Sequence, residues 1–162
     1  MKAPRTTPVW RTMVRDDLDF VLGLAARLYP DHPESRAAFA AKLDAAPEAC
    51  FVATRGTGKV GYCVALWIEA RRPPKLDEAG YVPGPPLSLH LHDIAVDPRA
   101  RGQGLVGAAL ERLSAVAEGA KLSLVAVNGT RALWEGYGFA AAAIDESVRA
   151  TYGKDAVYME RA

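Results

Sequence analysis

The chain has 162 residues, 50% hydrophobic and 24% charged, with a formal net charge of +1. That length suits one domain over 1–162 with a real core, and the near-neutral balance with scattered Lys and Arg argues against nucleic acid or a membrane surface as partner. Residues 1–9 are polar without the apolar centre of a signal peptide, and no apolar run reaches the roughly 20 residues that span a bilayer, so a cytoplasmic location is expected.

Residues 9–14 partly alternate and predict a first strand. Asp16 or Asp17 then reads as the N-cap of a helix carrying Phe20, Val21, Leu24 and Leu28 at helical spacing. Tyr29-Pro30-Asp31-His32-Pro33 breaks it, and a second helix is predicted over 34–46, with Phe39 and Leu43 four apart. Residues 50–54 and 60–68 read as strands joined by the Gly-rich punctuation Arg55-Gly56-Thr57-Gly58-Lys59. The two cysteines, Cys50 and Cys63, fall in these apolar segments and read as buried reduced thiols. Residues 69–86 are rich in Pro and Gly and long for a plain connection, a length at which loops often carry function.

A strand over 87–96 follows, then a helix from the glycine loop to about Glu118 with Leu105, Ala109, Leu113 and Val116 on one face. A buried strand over 121–127, a short helix over 132–137 and two final strands over 139–144 and 156–160 complete the order βααβββαβαββ. The fold class is α/β with a mixed sheet.

The chemistry concentrates in Leu91 to Gly107, which reads LHDIAVDPRARGQGLVG. A strand, an Asp-Pro turn, a basic glycine loop and a helix start make a ready phosphate site, because glycines let the backbone approach and a helix start presents unpaired N–H groups and positive dipole. Gly102-Gln103-Gly104-Leu105-Val106-Gly107 matches the dinucleotide pattern G-x-G-x-x-G. However, Asp97 to Arg101 intervene after the strand, and Val127 is followed by Asn128 where an acidic residue is required. A P-loop also fails, since Ala108-Ala109 stands where Lys-Ser/Thr is needed.

Together, Asp97-Pro98 and Arg101-Gly102-Gln103-Gly104-Leu105 resemble the acyl-CoA motif Q/R-x-x-G-x-G/A of the GNAT superfamily of N-acetyltransferases. Val106 departs from it, with Gly107 one place later. Downstream, residues 122–127, Asn128, Trp134, Gly138 and Phe139 resemble the family's strand–Asn–helix–Gly-Phe segment, so the similarity covers nearly the whole chain. The resemblance implies a GNAT-like fold, mostly antiparallel and flanked by helices, and acetyl-CoA as co-substrate, with no metal.

By that resemblance the backbone of Gly102, Gln103, Gly104, Leu105, Val106 and Gly107 holds the two CoA phosphates, with Arg101 adding charge. Ile94, Ala95 and Val96 end a strand splayed from its neighbour and pair with the pantetheine arm, and a backbone N–H at Val96 or a neighbour polarises the thioester carbonyl. Asn128 bonds the pantetheine or orders its own loop, its other reading being a plain Asn turn before Gly129-Thr130. Trp134 stands where many relatives carry an acidic tyrosine. Indole N–H cannot serve as that acid, so Trp134 is expected to pack on the arm, and Tyr137 reads either as a substitute acid or as a core tyrosine before the helix stop.

His90 and His92, two apart on one strand, are the candidate bases, and each also reads as a satisfied strand residue. Asp93 is expected on the opposite face, which splits the three and argues against a metal. The acceptor is a small-molecule or peptide amine, selected by residues 69–86, where Asp77 and Glu78 could attract a cation, and by residues 29–33. Exposed final strands often pair in such folds, which leaves a homodimer open. The competing reading is a non-catalytic acyl-CoA binding or sensing module, kept open by Val106 and Trp134.

Overall fold

The computed structural model describes residues 6–162; residues 1–5, part of the polar leading segment, lie outside the described residues. The elements run β1 (Val9–Thr12), α1 (Leu18–Leu28), α2 (Arg36–Ala45), β2 (Cys50–Arg55), β3 (Gly58–Glu69), β4 (Leu87–Val96), α3 (Leu105–Ala117), β5 (Leu122–Ala126), α4 (Arg131–Gly136), β6 (Ala140–Ala141), α5 (Glu146–Arg149) and β7 (Val157–Arg161). One seven-stranded sheet is formed in the order β1-β2-β3-β4-β5-β7-β6. Every adjacent pair is antiparallel except β4 and β5. This is the expected α/β, GNAT-like architecture. It adds one short helix, α5, and shortens the strand expected over 139–144 to two residues.

Alternation along the strands divides the core. One sheet face packs Phe51, Cys63, Leu89, Leu91, Leu124 and Met159 against α3 and α4, and the other packs Cys50, Val52, Tyr62 and Val64 against α1 and α2. Both thiols are free and buried. Helix α3 buries Leu105, Ala109 and Leu113 as expected from sequence, with Leu110 and Ala117 added and Val116 only partly buried, at about 1.5–3 kcal/mol for each large side chain. Trp10 Nε1 donates to the carbonyl oxygen of Leu105 at 2.9 Å, tying the edge strand to the start of α3.

Asp17 does not cap α1 with its side chain. Instead its buried carboxylate takes two 2.8 Å hydrogen bonds from Arg11, one from the Val14 backbone and an ion pair with Lys59. The Arg11 guanidinium, with Lys59, holds the carboxyl well below the usual range despite burial. Helix α2 starts later than predicted, with Ser35 as N-cap accepting from Ala38 N, which leaves Glu34 in the preceding loop. No helix among the described residues is long and apolar enough to cross a membrane.

Candidate active site

The parallel pair β4–β5 is short. It joins Leu89, His90 and Leu91 to Leu122, Ser123 and Leu124, and no pairing follows although β4 continues to Val96 and β5 to Ala126. The strands part there and open a cavity of about 560 Å³. Ile94 and Val96 line one side and Val125, Val127 and Asn128 the other, with Arg101, Gly102, Gly104, Leu105 and Val106 across its mouth.

The mouth is built by local chemistry. Asp97 accepts from the Arg99 backbone and side chain at 3.0–3.1 Å and closes the Asp-Pro turn. Those hydrogen bonds hold its carboxyl well below the ordinary range. Arg101 Nε donates to the carbonyl oxygen of Val96 at 3.2 Å, folding the loop back on the strand end. Gly102 and Gly104 both have φ +76, a left-handed backbone that a Cβ strains. Gly104 is the N-cap of α3 and, among the described residues, no side chain caps this helix start. The first-turn N–H groups and the positive end of the dipole are thus directed at the cavity mouth, where an anion is stabilised. Positive backbone, a glycine approach and an apolar groove behind it fit a diphosphate with a long thioester arm.

A β-bulge governs the other end. Val64 pairs with Asp93 and Ala65 with Leu91, so His92 is the extra residue in β4. The expected alternation therefore fails. His90, His92 and Asp93 all face the α1–α2 side, and Asp93 is not opposite the histidines. The inference that alternate faces exclude a metal is corrected too, although no metal-binding cluster occurs among the described residues.

His90 does not line the cavity. It is buried behind the sheet, with Nδ1 2.9 Å from Ser123 Oγ and its ring stacked 6.2 Å from Tyr158. Burial, with the neighbouring His92 and Lys42 charges, drives its pKa well below the ordinary value. It is withdrawn as a base because nothing in the cavity reaches it.

His92 does line the cavity, and its Nε2 lies 2.6 Å from Glu34 Oε1. Its imidazole is only 1% exposed, so the exposure of this residue belongs to its backbone at the parted strand. Burial pushes the Glu34 carboxyl up, but the His92 hydrogen bond and the His92 and Lys42 charges outweigh it and leave the pKa below its ordinary value. Asp93 accepts from the Tyr62 hydroxyl at 2.6 Å. Burial raises its pKa to about 6, against the pull of Tyr62 and His92. Tyr29 donates to the Ile94 carbonyl oxygen at 2.6 Å, and burial next to Asp93 raises its pKa to about 12.

Of the other expected residues, Trp134 and Tyr137 line the cavity together, ring centroids 6.1 Å apart, whereas Ala95, Gln103 and Gly107 do not. Asn128 follows β5 at φ +54, a conformation asparagine tolerates. Tyr29 and His32, from the 29–33 turn expected at the acceptor side, line the cavity, and with them Glu34 and Tyr152, which sequence reasoning missed. A signal was available for Glu34, since Tyr29, His32 and Glu34 interleaved with Pro30 and Pro33 in a break between helices are dense chemistry for a connection.

A family model described as the acetyltransferase (GNAT) family matches residues 16–139. Among solved structures, the chain resembles the GphF GNAT-like decarboxylase in complex with isobutyryl-CoA at TM-score 0.77 and 21% identity, covering 95% of this chain and 98% of that one. Ard1 from Thermoplasma volcanium gives 0.70 and 17%, covering 96% and 97%. The ribosomal-protein-S18-alanine N-acetyltransferase from Escherichia coli gives 0.67 and 22%, covering 95% and 92%. Among curated proteins no sequence match reaches significance. With the family model spanning most of the chain and the phosphate-ready loop inside it, this protein belongs to the GNAT family of acetyltransferases.

Proposed function

We propose that the protein transfers the acetyl group of acetyl-CoA directly to a primary amine. The observation that carries this reading is the parting of β4 from β5 beyond Leu91, with an uncapped glycine-rich helix start at its mouth. The amides of residues 102–107 bind the diphosphate, with Arg101 beside them. The backbone of Ile94, Ala95 and Val96 pairs with the pantetheine arm as an added strand would. Trp134 packs on the arm, Tyr137 protonates the departing sulfur, and Asn128 orders the far wall. His92 is the base retained on β4. The amine attacks the thioester carbonyl carbon, whose oxygen is stabilised by a backbone N–H at the end of β4. No acyl-cysteine is required: Cys50 and Cys63 are buried in β2 and β3, where burial raises both thiol pKa values, that of Cys50 to about 12.

Acceptors of peptide type belong to this reading too, because the similar Escherichia coli enzyme is named for an alanine of a ribosomal protein. Val106 and Trp134 favour the second reading, an acyl-CoA sensor without turnover. Thiol release from acetyl-CoA with a panel of amines, alongside calorimetry of CoA binding, tests both. Release with an amine supports transfer, binding without release supports the sensor, and absence of binding overturns both.

A further inference from the structure

Beyond Leu91 the strand β4 keeps one partner, β3, and its other edge faces the gap. The Asp97 amide donates to the Val60 carbonyl oxygen at 2.8 Å, so these two residues form a hydrogen-bonded pair. Such pairs alternate along an antiparallel ladder. Tyr62 with Ala95 and Val64 with Asp93 continue the series, while Gly61 with Val96 and Cys63 with Ile94 fall between. The N–H and C=O groups of Ile94 and Val96 therefore point away from β3, into the gap. This narrows the edge open to an added strand to two residues.

Both carbonyl oxygens on that edge are held by side chains. The Tyr29 hydroxyl donates to the Ile94 oxygen at 2.6 Å, and Arg101 Nε donates to the Val96 oxygen at 3.2 Å. Both side chains line the cavity. They stand in for the strand partner that the parting removes, and spare β4 two unpaired acceptors. The two caps differ in strength. Arg101 brings its charge to the bond, which makes such bonds roughly twice as strong as neutral ones, so a neutral amide does not displace it. Tyr29 is a neutral donor, because burial, with Asp93 beside it, raises its pKa to about 12. An amide N–H replaces a neutral hydroxyl on a carbonyl oxygen as a nearly even exchange. Tyr29 is also the residue at which α1 ends, outside the sheet, so its hydroxyl can withdraw without breaking any strand pairing.

We propose that Tyr29 is a positioning residue that competes with the pantetheine arm for β4: its hydroxyl holds the Ile94 oxygen before CoA binds, and a pantetheine amide N–H takes that oxygen from it. The assignment rests on the acetyl-transfer reading and adds a residue that opposes the arm. No covalent step is involved. One hydrogen bond to the Ile94 oxygen replaces another, and the freed hydroxyl turns to solvent. Arg101 keeps the Val96 oxygen, so at Val96 the arm meets only the N–H. Tyr29 thereby lowers the affinity for whole CoA without touching that for its diphosphate, and its return to Ile94 favours departure of the spent CoA.

Of the isoleucines in the chain, only Ile94 precedes an alanine. In the full-length protein labelled with carbonyl-¹³C isoleucine and ¹⁵N alanine, a single carbonyl–amide NMR correlation therefore reads the Ile94 oxygen. Without CoA, Tyr29→Phe is expected to move its ¹³C resonance upfield, the sign of a lost hydrogen bond. At saturating CoA, parent and Tyr29→Phe are expected to give the same shift, because the arm holds the oxygen in both. In the parent alone, CoA is expected to move the correlation and ADP, which has the diphosphate but no arm, to leave it in place. By calorimetry Tyr29→Phe is expected to bind CoA about fivefold more tightly and ADP equally. A difference between the two proteins that persists at saturating CoA, a CoA affinity unchanged or lowered by Tyr29→Phe, an equal gain with ADP, or bound CoA that leaves the parent correlation unmoved overturns the proposal alone. Absence of CoA binding by the parent ends the acetyl-transfer reading, and this proposal with it.

Discussion

Replacing Asp93 by Asn isolates the cost of keeping a carboxylate beneath the β4 bulge. Asparagine retains an acceptor for the Tyr62 hydroxyl, now 2.6 Å from Asp93 Oδ2, and removes only the charge. The folded-state pKa is raised from 3.8 to about 6, chiefly by burial. At ~1.4 kcal/mol per pH unit this is a penalty of about 3 kcal/mol on the folded protein once the group is ionised in both states. A raised carboxyl stabilises the fold fully only below its unfolded pKa, and that contribution is lost as pH rises through the folded value. Asp93→Asn should therefore match the unmodified protein near pH 4 and exceed it by up to about 3 kcal/mol at pH 7.5, the difference growing between those limits. Asp17, Asp97 and Glu34 have lowered pKa values and carry the opposite dependence, lost as pH falls. They are common to both proteins and cancel in the difference. Urea unfolding of both at several pH values between 4 and 8 measures it. A difference independent of pH, or a variant less stable at pH 7.5 than at pH 4 relative to its parent, would refute the electrostatic account.

Trp10→Phe removes the donor to Leu105 O and should cost about 1 kcal/mol by urea unfolding, a loss that an unchanged midpoint would contradict. Gly104→Ala meets open space but strains a φ of +76 by about 1–2 kcal/mol; CoA affinity should fall about tenfold by calorimetry, and equal affinity would show that the loop does not bind in this conformation. At Gly61 the obstacle is steric. A Cβ there would stand 2.8 Å from the backbone oxygen of Ala95, so Gly61→Ala must push β3 from β4 at the cavity edge, at about 1–3 kcal/mol, and a melting temperature equal to the parent's would refute the close approach.

Much of this molecule was legible as local pattern. The glycine loop was placed correctly because an Asp-Pro turn, left-handed glycines and a helix start are written in neighbouring residues. The buried stripe of α3 follows from 3.6-residue spacing, and the buried free thiols from apolar strand composition. The β4 histidines show where such reading stops. Strict alternation put His90 and His92 together and Asp93 apart, yet one extra residue opposite Val64 and Ala65 turned Asp93 to the same side. A bulge is fixed by pairing between strands far apart in sequence.

The sequence by itself determined the family, the order of most elements and the glycine-rich loop that opens α3, because each depends on contacts within a few residues. Tertiary structure alone decided which histidine meets the cavity, since Ser123 and Tyr158 claim His90 while Glu34, 58 residues from His92, holds the other. It also decided where β4 and β5 part, and it brought His32, Glu34 and His92 to the cavity. Those placements arise from strand register and loop packing, which set residues distant in the chain side by side and are encoded in no single segment.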